Sequence, residues 1–445
     1  MRQVHWVIIA ILVLCVATSC ITENTLPVNF QAQNEKSSTI PVEQAMESLN
    51  DFLIRHNQET KAMGVGISDV IVVSSQNVTR SNGESLPAID SLLYLVNFEN
   101  NSGYAILSAD ERIGAPIIAV TETGSINAQA FNINNRDLGN GTTSSDDFSL
   151  DLPIGNTNPT DNMIGGSQIV NDMIVEFVGN KIINGKIPNN TQPSDNTNSY
   201  WVAPILTTIW GQYFPYNLKC PVEENGEHNP AGCVAIALGQ VLAHFEAERT
   251  DVNKEYDWQV IKSVGRMEDY ETERNTNYEY TNKYNDTQKE EISTFIKDIG
   301  DMCDMNYGDG GSSSLPWKID NCLGLCGFSN SDFYWGYDID DVKTSLIRGY
   351  PVIISAAKPW SIKGHTWVID GYDTHYNPND EDNYIIVHCN WGWGGLCNGF
   401  YYSGVFNTGA DAVIHDTNYG DREDVDDQMD SKYTYMFSTV LLDVR

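Results

Sequence analysis

The chain has 445 residues, of which 41% are hydrophobic and 10% aromatic, so it carries enough apolar material for two or three domains with real cores. It has 26 Lys and Arg residues against 60 Asp and Glu residues, which gives a formal net charge of −34. A surface this acidic repels phosphate backbones, and no segment forms a basic stripe, so we expect no nucleic-acid partner.

Residues 1–20 have the pattern of an export signal. Arg2 supplies a short positive region, an apolar run extends from Trp6 to Leu14, and small residues then lead to Cys20. Because this ending resembles a bacterial lipobox, we expect a lipoprotein-type signal peptide that leaves Cys20 as a lipid-bearing tether to the membrane. An ordinary secretory signal with an incidental Cys20 is the alternative. In both cases the protein is exported, as an outer-membrane lipoprotein or as an extracellular or periplasmic protein.

The segment after the signal has the pattern of a small α+β domain. Apolar residues at helical spacing predict a helix over 41–55, with Pro41 suited to its first turn. Three β-like runs follow, and the polar residues between the first two predict a hairpin turn. These runs are 92–98, 103–107 and 115–120. A polar loop over 134–162 and a helix over 169–178 are predicted beyond them.

A polar linker rich in chain-breaking residues, at 189–199, marks the main domain boundary. We therefore divide the chain into the signal 1–20, a first domain with its linker over 21–199, and a second domain over 200–445. In the second domain the pattern predicts a helix over 233–245, a polar stretch around 266–290, and strands at 351–355, 365–370 and 383–388.

Cys233 has the placement of a nucleophilic thiol. It follows the turn-forming residues 229–232 and begins the apolar run of the predicted helix. The positive end of the helix dipole favours thiolate over thiol at that point, and the thiolate is the form that attacks an acyl carbon. Taken alone, Cys233 would more often be a core residue or half of a disulfide, because most cysteines of exported proteins are paired.

His365 is the candidate general base. It begins a predicted strand 132 residues after Cys233, so any contact between the two is made by the fold. A histidine in such a strand is as often a core residue with satisfied hydrogen bonds. His388 is the rival base, and His228 and His244 are weaker rivals.

Three further residues complete the candidate site. The amide oxygen of Asn390 is suited to accept the imidazole N–H of His365 and to hold the ring in the tautomer that serves the thiol, and Trp391 is suited to shield that hydrogen bond from water. Gln212 lies in an aromatic loop upstream of the thiol. With the main-chain N–H of Cys233, its amide would stabilise a developing oxyanion by about 3 kcal/mol. Each residue alone also fits a structural role, as part of a glycine-rich turn packed on tryptophans or as a solvated glutamine.

The order Gln, Cys, His, Asn is that of papain-like sites, in which the histidine and the asparagine follow the nucleophile by about 130–150 residues. The second domain resembles the streptopain family of cysteine peptidases. The motifs that carry this resemblance are Trp210-Gly-Gln212, Pro215-Tyr-Asn217, Gly232-Cys-Val-Ala235 with Ala237 and Gln240, Tyr256-Asp-Trp258, Met305-Asn-Tyr-Gly308, Gly364-His365, Val368-Ile-Asp-Gly371 and Asn390-Trp-Gly-Trp-Gly-Gly395. The first domain resembles that family's propeptide, at Tyr94-Leu-Val-Asn-Phe98 and Gly103-Tyr-Ala-Ile-Leu-Ser-Ala-Asp110.

The resemblance implies a two-lobed, papain-like α+β peptidase domain behind a small α+β inhibitory prodomain. It implies a secreted or lipid-anchored cysteine endopeptidase made as an autoinhibited zymogen, with a protein or peptide substrate, its own prodomain as inhibitor, an activating protease, and no cofactor or metal. The implied roles are nucleophile for Cys233, base for His365, orientation of the histidine for Asn390 and Trp391, and the oxyanion hole for Gln212. The alternatives are a papain-superfamily amidase or acyl transferase with the same site, and a non-catalytic surface binding protein.

Seven cysteines lie beyond the signal, at positions 220, 233, 303, 322, 326, 389 and 397. An odd number in an exported protein predicts one free thiol and up to three disulfides. A free Cys233 suits that count, although the count alone does not identify the free thiol. The streptopain pattern does not lead us to expect the extra cysteines. Cys322 and Cys326 lack a second pair of ligands at suitable spacing, so we expect no structural zinc.

Overall fold

The structure is a computed structural model. It describes residues 38–56, 66–78, 85–131, 168–184, 200–224, 226–252, 254–266, 284–308, 311–357, 364–375, 384–406 and 436–442. The export signal, the loop predicted at 134–162 and the linker predicted at 189–199 lie outside the described residues. The domain boundary therefore stays a prediction. From Ser38 onward the chain forms one compact unit.

The N-terminal region, which we define as residues 38–184, has the predicted α+β character. Its elements are α1 (Val42–His56), β1 (Ile67–Val73), β2 (Leu93–Phe98), β3 (Tyr104–Ser108), β4 (Ile117–Thr121) and α2 (Gln168–Asn184). Helix α1 and strands β2 to β4 confirm the predicted helix and β-runs, and α2 is longer than the predicted 169–178. In the turn between β2 and β3, Asn100 and Asn101 have φ angles of 57° and 54°, a conformation that asparagine tolerates better than most residues.

The C-terminal region, which we define as residues 200–442, supplies five further helices within the described part of the chain. They are α3 (Cys233–Phe245), α4 (Trp258–Ile261), α5 (Asp286–Met302), α6 (Lys318–Leu325) and α7 (Ile339–Ile347). Helix α3 has the predicted bounds. Helix α5 begins inside the stretch expected to be polar as far as 290, because Asn285 and Gln288 form a capping box at its start. No helix among the described residues is long and apolar enough to cross a membrane.

The described strands join one antiparallel sheet. The C-terminal region contributes β5 (Trp201–Val202), β6 (Asp332–Trp335), β7 (Val352–Ala357), β8 (Gly364–His375), β9 (Tyr384–Asn390), β10 (Gly399–Tyr402) and β11 (Met436–Leu441). The strand order is β1-β2-β3-β4-β10-β9-β8-β7-β11-β6, and β5 pairs with the far end of β8. Strands β7, β8 and β9 confirm the three predicted strands.

The two regions share this sheet because β4 pairs with β10. Ala119 lies opposite Tyr401, and Thr121 lies opposite Gly399. Gly399 has a φ of 150°, and a Cβ at this position would lie 2.3 Å from the carbonyl oxygen of Val120. The close approach of the two strands therefore requires glycine at this position.

Two buried clusters give the C-terminal region the two lobes of a papain-like domain. One cluster is helical and contains Trp210 with the inner faces of α3 and α5. The other lies on the sheet, contains Trp367 and Trp391, and continues into the core of the N-terminal region. A Cβ on Gly239 of α3 would lie 2.8 Å from Ile296 Cδ1, so the glycine that weakens this helix is the one that lets α5 pack closely.

Candidate active site

Cys233 is the first residue of α3, and α3 packs against β8, the strand that carries His365. Gly232, at the helix N-cap, has a φ of 90°, and a Cβ there would lie 2.8 Å from Met305 Sδ. The chain therefore turns tightly before the helix. This turn places the thiol at the positive end of the helix dipole, as the sequence predicts.

Burial raises the pKa of the Cys233 thiol, while hydrogen bonds from the main chain and side chain of Thr366, and from the N–H groups of Val234 and Cys233 itself, lower it. Thr366 follows His365 in β8, and its hydroxyl oxygen lies 2.8 Å from Ser355 Oγ. Successive side chains of a strand point to opposite faces. The Cys233 thiol therefore contacts β8 at Thr366, the residue that follows His365. The raised pKa of Cys233 favours the neutral thiol.

His365 is buried, with 7% of its surface exposed, among tryptophans. Its Nε2–H donates to the main-chain carbonyl of Trp391 at 2.7 Å, and its ring stacks on Trp393 with centroids 4.4 Å apart. Burial lowers the pKa of His365 to about 4, and the hydrogen bond to Trp391 opposes this fall. A neutral imidazole whose proton is held on Nε2 presents the lone pair of Nδ1, the form that a general base needs.

The acceptor for His365 is thus a main-chain carbonyl and not the amide of Asn390, so the predicted contact between these two side chains is wrong for this structure. Asn390 is buried at the end of β9, where Nδ2 donates to the carbonyl of Thr208 at 2.8 Å and its amide pairs with that of Gln240 at 3.2 Å. The hydrogen bonds with Gln240 hold the Asn390 side chain against α3. Trp391 does lie against the histidine, with ring centroids 6.1 Å apart.

Gln212 lies beside the turn that precedes the thiol. Its main-chain carbonyl accepts the N–H of Ala231 at 2.7 Å, two residues before Cys233. The preceding Gly211 packs closely on the loop after β9, since a Cβ there would lie 3.3 Å from the nitrogen of Gly394. The main chain of Gln212 is therefore next to the nucleophile, and the side chain is half-buried. Its role as an oxyanion donor stays a prediction.

The rival histidines are engaged elsewhere. His388 Nδ1 lies 2.6 Å from Asp370, and its Nε2 lies 3.4 Å from Glu122 of the N-terminal region. Burial lowers the pKa of His388, but the charge and hydrogen bonding of Asp370, with a further contribution from Glu122, outweigh it and raise the pKa to about 10. A cationic imidazole does not accept a proton from a thiol. His228 lies 2.8 Å from a main-chain carbonyl, and His244 lies at the far end of α3.

All seven cysteines of the second domain are free thiols in this structure, so the expected disulfides are not formed. Cys303 and Cys322 are in contact, with their sulfur atoms 3.1 Å apart. The others are distributed between the two cores: Cys220 and Cys326 are buried in the helical lobe, whereas Cys389 and Cys397 are buried with the sheet. Among the described residues, no group of three or more His, Cys, Asp or Glu side chains is arranged to hold a metal ion.

Sequence reasoning gave no role at the site to three residues that contact it, namely Thr366, Trp393 and Gln240, although the last two belong to the motifs of the resemblance. A polar residue in the middle of an apolar helix was a usable signal for Gln240, because a buried amide needs partners. The second tryptophan of the Trp-Gly-Trp motif was a signal for Trp393. The sequence gives no signal for Thr366 other than its position directly after His365.

The N-terminal region contacts the loop that binds the histidine, residues 391–398. The N–H of Glu122 donates to the carbonyl of Asn398 at 2.9 Å, and Thr123 Oγ1 donates to the carbonyl of Gly395 at 3.1 Å. These contacts come directly after β4, so the strand pairing and the loop contacts belong to one interface. The N-terminal region therefore contacts the same loop whose Trp391 carbonyl accepts the N–H of His365.

A thiol at the start of a helix that packs on a histidine-bearing strand, between a helical lobe and a sheet, is the arrangement found in papain-like cysteine peptidase domains. Residues 210–401 match the model of the Peptidase C10 family, and residues 37–141 match that of the Spi protease inhibitor. The resemblance to the streptopain family is therefore confirmed over residues 210–401, which follow the segment that matches the inhibitor.

The chain is similar to curated proteins over slightly less than half of its length. It is 25% identical over 248 residues to the thiol protease/hemagglutinin PrtT of Porphyromonas gingivalis, covering 47% of this chain and 25% of that protein. It is 26% identical over 232 residues to streptopain of Streptococcus pyogenes, covering 45% of this chain and 54% of that protein. The chain thus spans a quarter to about half of the length of these relatives. A solved fragment of Prevotella intermedia prointerpain A aligns with a TM-score of 0.49 and 22% identity, over 78% of this chain and 94% of the fragment.

Proposed function

We propose that this protein is a cysteine endopeptidase made as an autoinhibited zymogen. The observation that carries the proposal is the placement of Cys233 at the start of α3, against the strand of His365, inside the segment that matches the Peptidase C10 family. The substrate is a protein or peptide. The N-terminal region is the inhibitor, which the match to the Spi inhibitor supports.

In the proposed reaction, His365 takes the proton of Cys233, and the thiolate attacks the carbonyl carbon of the substrate. The carbon–sulfur bond forms as the carbonyl π electrons move onto oxygen, where the N–H of Cys233 and the Gln212 amide stabilise the oxyanion. Collapse of this intermediate expels the amine, which receives its proton from His365. A water molecule that gives its proton to His365 then hydrolyses the acyl-enzyme. The Trp391 carbonyl keeps a proton on Nε2 throughout, so Nδ1 is the working nitrogen.

The electrostatics of the precursor, in which the N-terminal region is attached, explain why it is inactive. The raised pKa of Cys233 and the lowered pKa of His365 favour two neutral groups over a thiolate–imidazolium pair. The contacts of Glu122 and Thr123 hold the histidine-binding loop in this arrangement. A cut within 180–200, by the peptidase itself or by an activating protease, releases the N-terminal region and frees the loop to bring the imidazole to the thiol.

We further propose that the protein is exported and tethered through Cys20. The first twenty residues support this, because a positive residue, an apolar run and a small-residue ending with cysteine are what lipoprotein processing requires. Expression of wild type and Cys20→Ser in a bacterial host with a radiolabelled fatty acid tests the tether. Label on wild type alone supports it, and label on neither protein leaves an ordinary secretory signal.

Purified precursor and its Cys233→Ala variant test the peptidase. Each is treated by limited proteolysis and incubated with casein, with and without a thiol-alkylating inhibitor, and N-terminal sequencing follows self-cleavage. We expect wild type to mature within 180–200 and to degrade casein, and the variant to do neither, because a methyl group cannot form the acyl-enzyme.

A matched control is Cys326→Ala, which removes a buried thiol of the helical lobe and should retain activity. If wild type and Cys233→Ala are alike and inactive, the non-catalytic binding protein replaces the peptidase. Amide transfer to an added amine in place of casein breakdown would indicate the acyl transferase.

A further inference from the structure

The side chain of Gln240 is a buried amide in the middle of α3. It has no exposed surface, and its neighbours from Val234 to Ala243 are apolar and buried as well. Its Oε1 accepts the main-chain N–H of Trp210 at 3.0 Å and the hydroxyl of Thr208 at 3.3 Å. A buried amide destabilises a core unless it is hydrogen-bonded. These bonds therefore fix α3 to the segment that leads to Gln212.

The same amide is paired with Asn390 at the end of β9. Gln240 Nε2 lies 3.2 Å from Asn390 Oδ1, and Asn390 Nδ2 lies 3.2 Å from Gln240 Oε1. Asn390 Nδ2 also donates to the carbonyl of Thr208 at 2.8 Å. The two amides and Thr208 thus form a closed network that joins three chain segments distant in sequence.

Each of the three segments carries one part of the candidate site. Helix α3 begins with Cys233, the segment after Thr208 leads to Gln212, and Asn390 precedes Trp391, whose carbonyl binds His365. Gln240 itself lies seven residues along the helix from the thiol, a rise of about 10 Å, so it does not reach a substrate bound there. Its effect on the reaction has to pass through the segments that it joins.

We propose that Gln240 is a positioning residue that sets the nucleophile, the oxyanion donor and the histidine acceptor relative to one another. The proposal rests on the peptidase function proposed above. Asn390 belongs to the same network, which gives this residue a role at the site although it does not contact the imidazole. A network of this kind controls geometry, and geometry controls the turnover of bound substrate more than its binding.

The test uses Gln240→Leu, which keeps the approximate volume and removes all the hydrogen bonds, in the full chain after maturation. Rates are divided by the concentration of active sites, titrated with an irreversible thiol inhibitor. We expect kcat to fall at least about tenfold while KM changes less than about twofold, because the oxyanion donor and the base are displaced but the cleft remains. The matched control Gln259→Leu changes an exposed glutamine of α4 and should match wild type.

A second variant, Gln240→Glu, adds a readout that a merely structural role would not move. A protonated carboxyl group copies the amide, with a carbonyl that accepts and an O–H that donates to Asn390. An ionised carboxylate loses that donor. We therefore expect the ratio of its kcat to that of wild type to be close to one at pH 5 and to fall about tenfold or more by pH 8.

The outcomes separate the two proposals. The positioning role would be overturned if wild type is active and the kcat of Gln240→Leu per titrated site equals that of wild type. Any fall in total rate would then reflect only a smaller number of active sites. A ratio independent of pH for Gln240→Glu would also count against it. A wild type without peptidase activity would instead overturn the proposed function, and this role with it.

Discussion

The neutral state of the two reacting residues is the main property of the site at the scale of single residues. A thiol whose pKa is raised loses its proton only at higher pH, and an imidazole whose pKa is lowered to about 4 gains one only at lower pH. Both shifts are dominated by burial, which disfavours charged forms. Because the N-terminal region contacts the loop that binds His365, we expect its removal to admit water to the site and to reverse both shifts.

This reversal predicts a difference in the reactivity of Cys233 between precursor and matured enzyme. Because the thiolate is the reactive form, we expect iodoacetamide to alkylate Cys233 at least about tenfold more slowly in the precursor at pH 7. Peptide mapping by mass spectrometry resolves Cys233 from the other six thiols. The buried Cys389, whose pKa is raised by burial, serves as the internal control. Equal rates at Cys233 would contradict the neutral latent state.

The oxyanion role of Gln212 gives a second prediction at this scale. Gln212→Ala in the matured enzyme should lower kcat by about 10²-fold, because it removes one of two proposed donors to the developing charge, while KM changes little. Steady-state kinetics on a peptide substrate measures this. Gln259→Ala, at an exposed position, is the control. A fall confined to KM would assign Gln212 to substrate binding instead.

Residue types with strong local signals could be predicted from the sequence, and main-chain roles could not. The helix that begins at Cys233 and the strand that carries His365 could be predicted, because a turn before an apolar run and a glycine before the histidine mark their places. The sequence predicts Asn390 as the acceptor for His365, since an amide side chain is visible in a sequence. The carbonyl of Trp391 is not visible in this way, because every residue has one, and only the turn after β9 selects it.

At the scale of elements, the junction between β4 and β10 decides how the inhibitor segment is attached. Antiparallel pairing joins two strands from distant parts of the chain, so the N-terminal region extends the sheet of the C-terminal region. Strands β2, β3 and β4 were predictable from local alternation. Strand β10, four residues long, was not, because its hydrogen-bonding partners lie in β9 and in the N-terminal region.

Gly399→Ala should weaken this junction. Its Cβ would lie 2.3 Å from the carbonyl oxygen of Val120 and 2.7 Å from Thr121 Cα, so β4 has to move away, at a cost of about 1–3 kcal/mol. We expect faster cleavage of the precursor by trypsin, measured in a Cys233→Ala background that prevents self-cleavage. In the matured enzyme, where β4 has gone, the loss of stability should be smaller.

The control for this variant is Gly324→Ala in α6, where a Cβ meets nothing within 4 Å. Its cleavage should be no faster than that of the parent, because alanine favours a helix over glycine. If Gly399→Ala destabilises precursor and matured enzyme equally, the strain lies in the φ of 150° within β10 itself, and the junction is not what the substitution perturbs.

The protein has a net charge of −34, yet histidines pair with carboxylates at the interface between the N-terminal and C-terminal regions. Two buried histidines face carboxylates across it: His56 lies 3.2 Å from Asp373, and His388 lies between Asp370 and Glu122. Phe400 packs on both rings, so the pairs share one apolar setting. In an acidic protein the positive charge of His388, whose pKa is raised to about 10, offsets repulsion between the two regions.

Glu122→Gln tests the His388 pair in the Cys233→Ala precursor. A histidine whose folded pKa is raised, here to about 10, contributes stability that is full below its ordinary value near 6.5 and is lost as the pH rises through about 10. Urea unfolding should therefore find Glu122→Gln less stable by about 1–2 kcal/mol at pH 6, with the difference gone above pH 10. Glu47→Gln, at an exposed position of α1, should show no such difference. A deficit independent of pH would mean that Glu122 acts through packing, and His388 would then not hold the inhibitor by its charge.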